Sequence, residues 1–184
     1  MTWSDPSGPS DLPGLPDRFP ADGGREMRRV TAQDADLVEG ALPPEDRGDT
    51  FRYFTASPFP LSGFITDDSR RTYALWADGA PVACTTVYNA DRAAGTVMLG
   101  HTWVTPSARG HGGAANTAMK EAMYTVLRQA GVDEVWFRAD VENLRSCRSM
   151  EKNGAERMHV ADAPRVYPDR VSRSVFYRRR LTVP

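Results

Sequence analysis

Three glycines within four positions, in the segment Arg109-Gly110-His111-Gly112-Gly113-Ala114, are the residues whose spacing most clearly offers chemistry. They follow a strand-like run, Thr96 to Val104, and open a helix-like run that ends near Ala130. Glycines at such a turn leave backbone N–H groups unobstructed, and at a helix N-terminus those groups carry the positive end of the helix dipole. Such a place binds phosphate. The segment has neither the Gly-Lys-Ser/Thr ending of a nucleotide P-loop nor the Gly-x-Gly-x-x-Gly spacing of a dinucleotide fold.

Side chains that could move protons are few. His101 lies on the strand before the turn, and an unperturbed imidazole titrates near neutrality. Strand alternation puts it on the face of Trp103, opposite Thr102 and Val104, so it reaches a site facing Val104 only across a bulge. Asp140 ends the strand Val132 to Ala139 and reads either as an acid or base or as a turn residue. Asn143 opens a helix that runs to Asn153; its carboxamide offers a donor and an acceptor, and it is equally suited to cap that helix. Ser146 follows three residues later. His111 reads as solvent-facing and His159 as part of an ordinary closing strand. Cys84 and Cys147 have no metal-ligand spacing and no secreted disulfide pattern, and Cys147 reads as a buried, inert thiol. No metal site is expected.

The elements that must position these residues alternate in period. Met27 to Thr31 reads as a strand, Asp34 to Leu42 and Glu45 to Ala56 as helices split by Pro43-Pro44, and Tyr73 to Ala77 with Pro81 to Tyr88 as a hairpin across Asp78-Gly79. After the glycine turn, Met119, Met123, Val126, Leu127 and Ala130 form one helical stripe closed by Gly131. Glu156 to Val160 and Ser174 to Leu181 close the pattern as strands, joined by a loop carrying Arg165, Tyr167 and Arg170. The expected fold is a single α/β domain: a mixed, mostly antiparallel central sheet with flanking helices, in which Thr96 to Val104 splays from Val132 to Ala139. Residues 1–24, rich in Pro and Gly, are expected to form a flexible tail ahead of a domain over 25–184.

A chain of 184 residues with net charge −1 presents no overall field for nucleic acid, and Arg178-Arg179-Arg180 reads as a solvated strand edge. No apolar run of membrane-spanning length or signal peptide is visible, so neither nucleic acid nor membrane is an expected partner and the cytoplasm is the expected compartment. Two lysines, Lys120 and Lys152, stand against twenty-one arginines, which reads as genome composition bias.

The turn, the preceding Val104-Thr105-Pro106, the later Asn143-Leu144-Arg145-Ser146 and the closing Lys152-Asn153-Gly154-Ala155 together resemble the GNAT-type N-acetyltransferases, nearest to the branch acting on ribosomal-protein N-termini and small amines. The resemblance is clear over roughly residues 96–160. It implies that acetyl-coenzyme A is the cosubstrate, its pyrophosphate held by the turn (Arg109, Gly110, His111, Gly112, Gly113, Ala114). Trp103 and Val104 would supply strand contacts to the pantetheine arm, and Asn143 would bond one of its amides. Many relatives carry a tyrosine seven residues after that Asn to protonate the departing thiolate; here Met150 occupies the position. Ser146 is the substitute the sequence offers, with His101 as base and Asp140 in reserve. The segments Phe51-Arg52-Tyr53-Phe54 through Phe64 and Arg165-Val166-Tyr167 would cover a small-molecule or peptide amine having an apolar body and an anionic group. The enzyme reading leaves a homodimer open, and a catalytically silent acyl-coenzyme A-binding regulatory module is the alternative.

Overall fold

The computed structural model describes residues 14–181. Eight strands form one sheet in the order β1-β2-β3-β4-β5-β6-β8-β7. They are β1 (Arg18–Ala21), β2 (Arg25–Arg29), β3 (Arg70–Ala77), β4 (Ala80–Asp91), β5 (Thr96–Val104), β6 (Glu134–Asp140), β7 (Glu156–Val166) and β8 (Val171–Arg180). Every neighbouring pair is antiparallel except β5 and β6, which run parallel. The expected mixed sheet is present.

Helices cover both faces. On one side α1 (Ala35–Gly40), α2 (Pro44–Thr50) and α3 (Leu61–Ile65) enclose a small core in which Val38, Leu42 and Leu61 meet Trp76, Cys84 and Trp103 of the sheet. On the other, α4 (Ala114–Gln129) and α5 (Leu144–Lys152) close the main core. The stripe read from sequence does this work: Met119, Met123 and Leu127 are fully buried against Val97, Leu99, Val135 and Phe137. Gly131 stops α4 with φ +82°, and Val132 turns back to donate its N–H to Leu127.

Three expectations change. The tail expected to end at residue 24 gives way to sheet at β1, because Leu15 and Phe19 bury against Tyr73 and Met27, and Gly23 and Gly24, at φ +72° and +71°, make the reversal into β2; residues 1–13 lie outside the described set. The second helix stops at Thr50 rather than Ala56, and the aromatic run after it leads into the short α3. The loop expected between the closing strands is mostly sheet, since β7 continues through Arg165 and Val166, which pair with Ser172 and Val171.

Candidate active site

β5 and β6 pair only through Thr96, Val97 and Met98 against Glu134, Val135 and Trp136. Beyond that point they part, so the β5 edge from Leu99 to Val104 faces an opening rather than a partner strand. The glycine turn sits at the mouth of this opening. Gly110, Gly112 and Gly113 all have positive φ (+83°, +66° and +80°), a region where a side chain is strained. Gly113 is the N-cap residue of α4 and no side chain caps that helix, which leaves its first N–H groups directed outward. A Cβ placed at Gly110 would meet nothing within 4 Å, and at Gly112 or Gly113 only Lys152 Nζ at 3.9 Å. The turn is therefore an open, donor-lined cradle, and the anionic diphosphate of a coenzyme A thioester fits it.

Two cations flank the cradle. Lys152, at the end of α5, bonds the Gly112 carbonyl. Arg109 holds the turn in place: Nε donates to the Val104 carbonyl at 2.9 Å and Nη2 bonds Thr50 Oγ1. Arg109, for which a phosphate contact was expected, is thus tied to β5 and α2. The side chain of His111 lies outside the described atoms.

Asn143 plays the capping role directly, its Oδ1 accepting from Ser146 N–H at 3.1 Å. Its Nδ2 has no partner among the described residues and the residue lines the cleft, so the cap leaves an amide donor free. Ser146 and Met150 also face the cleft, whereas Cys147 is buried with its Sγ on the Asp140 carbonyl.

His101 is where alternation breaks. Cys84 pairs with Trp103 but Thr86 pairs with Gly100, so β5 carries one extra residue here, and His101 takes φ +49°. The bulge turns its ring among Phe54, Phe64 and Tyr88, with centroids 4.9 to 5.9 Å away, and still leaves it on the cleft wall. Its Nδ1 is buried without a partner. Burial first, and then Arg70, Arg138 and Arg165, push its pKa down to about 4, so the imidazole is neutral at physiological pH.

Asp140 is occupied. Tyr167 Oη donates to Oδ2 at 2.6 Å, Ser172 Oγ and Glu142 N–H each donate to Oδ1 at 2.8 Å, and Arg165 Nε lies 3.8 Å from Oδ2. Burial alone would raise its pKa; the hydrogen bonds and Arg165 outweigh that and hold it below the ordinary value. Asp140 takes the turn position through Glu142 N–H, but the cap of α5 that the turn reading also gave it belongs to Asn143. Arg165 and Arg170 reach the backbone carbonyls of Tyr53 and Arg52, each at 2.8 Å, so the two segments expected to cover the acceptor meet each other.

The glycine turn, the β5 edge, His101, Asp140, Asn143, Ser146 and Arg165 line one cleft of about 840 Å³. Its cations (among them Arg70, Arg138, Arg145, Arg148, Lys152) face one carboxylate, Asp140, which Arg165 already neutralises. Sequence reasoning missed Lys120, which lines the same cleft although only 5% exposed. The signal was available: both lysines of this arginine-rich chain, set aside as survivors of composition bias, face the site. Among the described residues, no cluster of three or more His, Cys, Asp or Glu could hold a metal, and no helix is long and apolar enough to cross a membrane.

The sequence matches the acetyltransferase (GNAT) domain family over residues 25–156. No curated protein matches it. Its structure is similar to that of a GCN5-related N-acetyltransferase from Brucella melitensis, at 15% identity, covering 93% of this chain and 83% of that one with a TM-score of 0.73. It is also similar to the Salmonella typhimurium acetyl transferase that modifies the N-terminal serine of 50S ribosomal subunit protein L7/L12, at 11% identity, 89% and 98% coverage and a TM-score of 0.76. At these identities the likeness speaks for the fold.

Proposed function

Because the chain belongs to the GNAT acetyltransferase family, we propose that it transfers an acetyl group from acetyl-coenzyme A directly to a primary amine of a small molecule or peptide. The observation that carries this is the parting of β5 from β6 directly beside the open glycine cradle. Bound there, acetyl-coenzyme A supplies an acyl group activated as a thioester. The α4 N-terminus and Lys152 hold its phosphates. The unpaired β5 edge, from Leu99 to Val104 and including Trp103, offers backbone donors and acceptors to the amides of the arm, and Asn143 Nδ2 adds one more donor. Ser146 lines the same cleft, and its Oγ, with no partner among the described residues, would bond the sulfur.

The acceptor half suits an amine with an apolar body and an anionic group. Phe54, Tyr88 and His101 form an aromatic wall, and Arg138 reaches the cleft with no carboxylate partner among the described residues. No covalent enzyme intermediate is needed, because a neutral amine can attack a thioester directly. A neutral His101 can accept a hydrogen bond from that amine, yet at pKa about 4 it is a weak base. Asp140, saturated by its partners, serves to hold Tyr167 and Arg165 in place.

The test is thiol release with product mass analysis, run with acetyl-coenzyme A against N-terminal peptides and small amines, anionic and neutral. Acetylated amine with stoichiometric thiol supports the reading. Cofactor binding with no turnover of any amine favours the silent binding module.

A further inference from the structure

Lys120 stands in the second turn of α4 and extends into the opening between the parted strands. Its Nζ lies 3.1 Å from Thr102 Oγ1 on β5 and 5.0 Å from the Phe137 ring centroid on β6. The amine therefore spans the gap just beyond the point where β5 and β6 stop pairing. It forms no ion pair with any described residue, although it is nine-tenths buried.

The hydrogen bonds around it have a direction. Thr85 Oγ1 donates to the Gly100 carbonyl at 3.3 Å and lies 2.8 Å from Thr102 Oγ1. Thr102 must then donate to Thr85, which leaves its oxygen to accept from Lys120. An uncharged lysine amine in that position uses one N–H on Thr102 and keeps a lone pair and a second N–H for the cleft. An arginine could not do the same, since a guanidinium does not give up its proton.

The charged and titratable groups that line the cleft on elements packed against α4 are Tyr88 on β4, His101 on β5, Arg138 and Asp140 on β6, and Arg145, Arg148 and Lys152 on α5. None of them displaces the Lys120 equilibrium; burial alone brings it down to about 7. His101 is a far weaker base, Asp140 is fully engaged, and Met150 has no proton to give. Of these groups, Lys120 is the one whose amine sits in the gap between the parted strands.

We propose that Lys120 carries the proton of the transfer, an assignment that rests on the acetyltransferase reading above. Lys120 takes the proton that the acceptor nitrogen loses as its bond to the acyl carbon forms. It returns that proton to the sulfur as the carbon–sulfur bond breaks. The products are an amide and a thiol, Lys120 ends as it began, and no further reagent is consumed. A carrier does this best when its own affinity for a proton lies near the working pH.

The experiment has one readout that needs no turnover. In protein labelled with 13C-lysine, two ε-methylene signals are expected, assigned with Lys120→Met. The signal that Lys120→Met removes should titrate near pH 7. The kinetic readout is the pH dependence of kcat and KM for wild type, Lys120→Met and Lys120→Arg. Both variants should lose about 100-fold in kcat, with KM for acetyl-coenzyme A changed less than about threefold, and the limb near pH 7 should disappear. Lys120→Met should melt no lower than wild type, since removing a buried amine removes its desolvation cost.

A Lys120 signal titrating near 10 overturns the proposal whether or not the protein turns over. So does a Lys120→Met variant with kcat within twofold of wild type, or one that loses cofactor affinity instead of kcat. Recovery of Lys120 as its N-acetyl derivative also overturns it, because an amide cannot carry the proton. If no amine is acetylated by wild type while Lys120 titrates near 7, the acetyltransferase reading fails and the proton-carrier assignment falls with it.

Discussion

The two halves of the cleft are built on opposite principles. The half formed by the glycine turn and the β5 edge leaves its polar groups unspent: α4 has no side-chain cap, and the β6-facing edge of β5 has no partner strand beyond Met98. The half formed by β6, β7 and the segment after α2 spends nearly everything internally. There Asp140, Tyr167, Arg165 and Ser172 bond one another and the Tyr53 carbonyl. A ligand enters the first half by completing hydrogen bonds and meets in the second a wall already satisfied. Polar groups left open mark what a site binds, and closed networks mark what holds its shape.

The largest effect that would break this contrast is expected at Gly112. Replacing it with Val puts a branched side chain at φ +66° in the cradle, and the loss of two charge-assisted contacts, each worth roughly 2 kcal/mol, should weaken acetyl-coenzyme A binding at least about 100-fold by calorimetry. Unchanged affinity in a folded variant would make the turn purely structural.

In the closed half the response should be stability. Asp140→Asn leaves the buried Arg165 without its counter-charge and should cost about 3 kcal/mol in thermal or urea unfolding, with cofactor affinity nearly unchanged. A stable variant that binds acetyl-coenzyme A poorly would reverse the assignment of the two halves.

His101, between the halves, should dominate the acid side of the stability curve. Its folded pKa of about 4 lies below the ordinary imidazole value of about 6.5, so the unfolded chain binds more protons between those values and stability falls as pH drops through that window. The full shift corresponds to about 3 kcal/mol. His101→Asn, which tolerates the left-handed backbone, should flatten this dependence; an unchanged curve would mean that the imidazole is solvated.

The smallest effect is at Ser146. Ser146→Ala should lower kcat several-fold while leaving cofactor affinity within about twofold, since its hydroxyl matters chiefly as charge develops on sulfur. Equal losses in both would place Ser146 in ground-state binding.

How much could be read in advance follows the same division. The cradle was legible because glycine at Gly110, Gly112 and Gly113 announces positive φ, and α4 because its stripe repeats at helical period. The bulge at His101 was foreseen only as a condition, since a non-glycine residue at φ +49° leaves no local mark. The Asp140–Tyr167–Arg165 network joins residues 27 and 25 positions apart in sequence, and pairings of that range depend on the sheet order β6-β8-β7, which no local pattern encodes. β1 was hidden by the prolines around it: Pro20 sits in an edge strand, where a missing N–H is tolerated. Lys120 was lost because its burial comes from tertiary packing alone.

Backbone amide hydrogen exchange with and without acetyl-coenzyme A tests the central claim most directly, that the cofactor occupies the gap between β5 and β6 and is held at the glycine turn. Saturating cofactor should slow exchange at amides of residues 99–104 and 112–116, and leave β7 and β8 little changed. Protection confined to other elements, or no protection along the β5 edge in protein shown by calorimetry to be saturated, would contradict it.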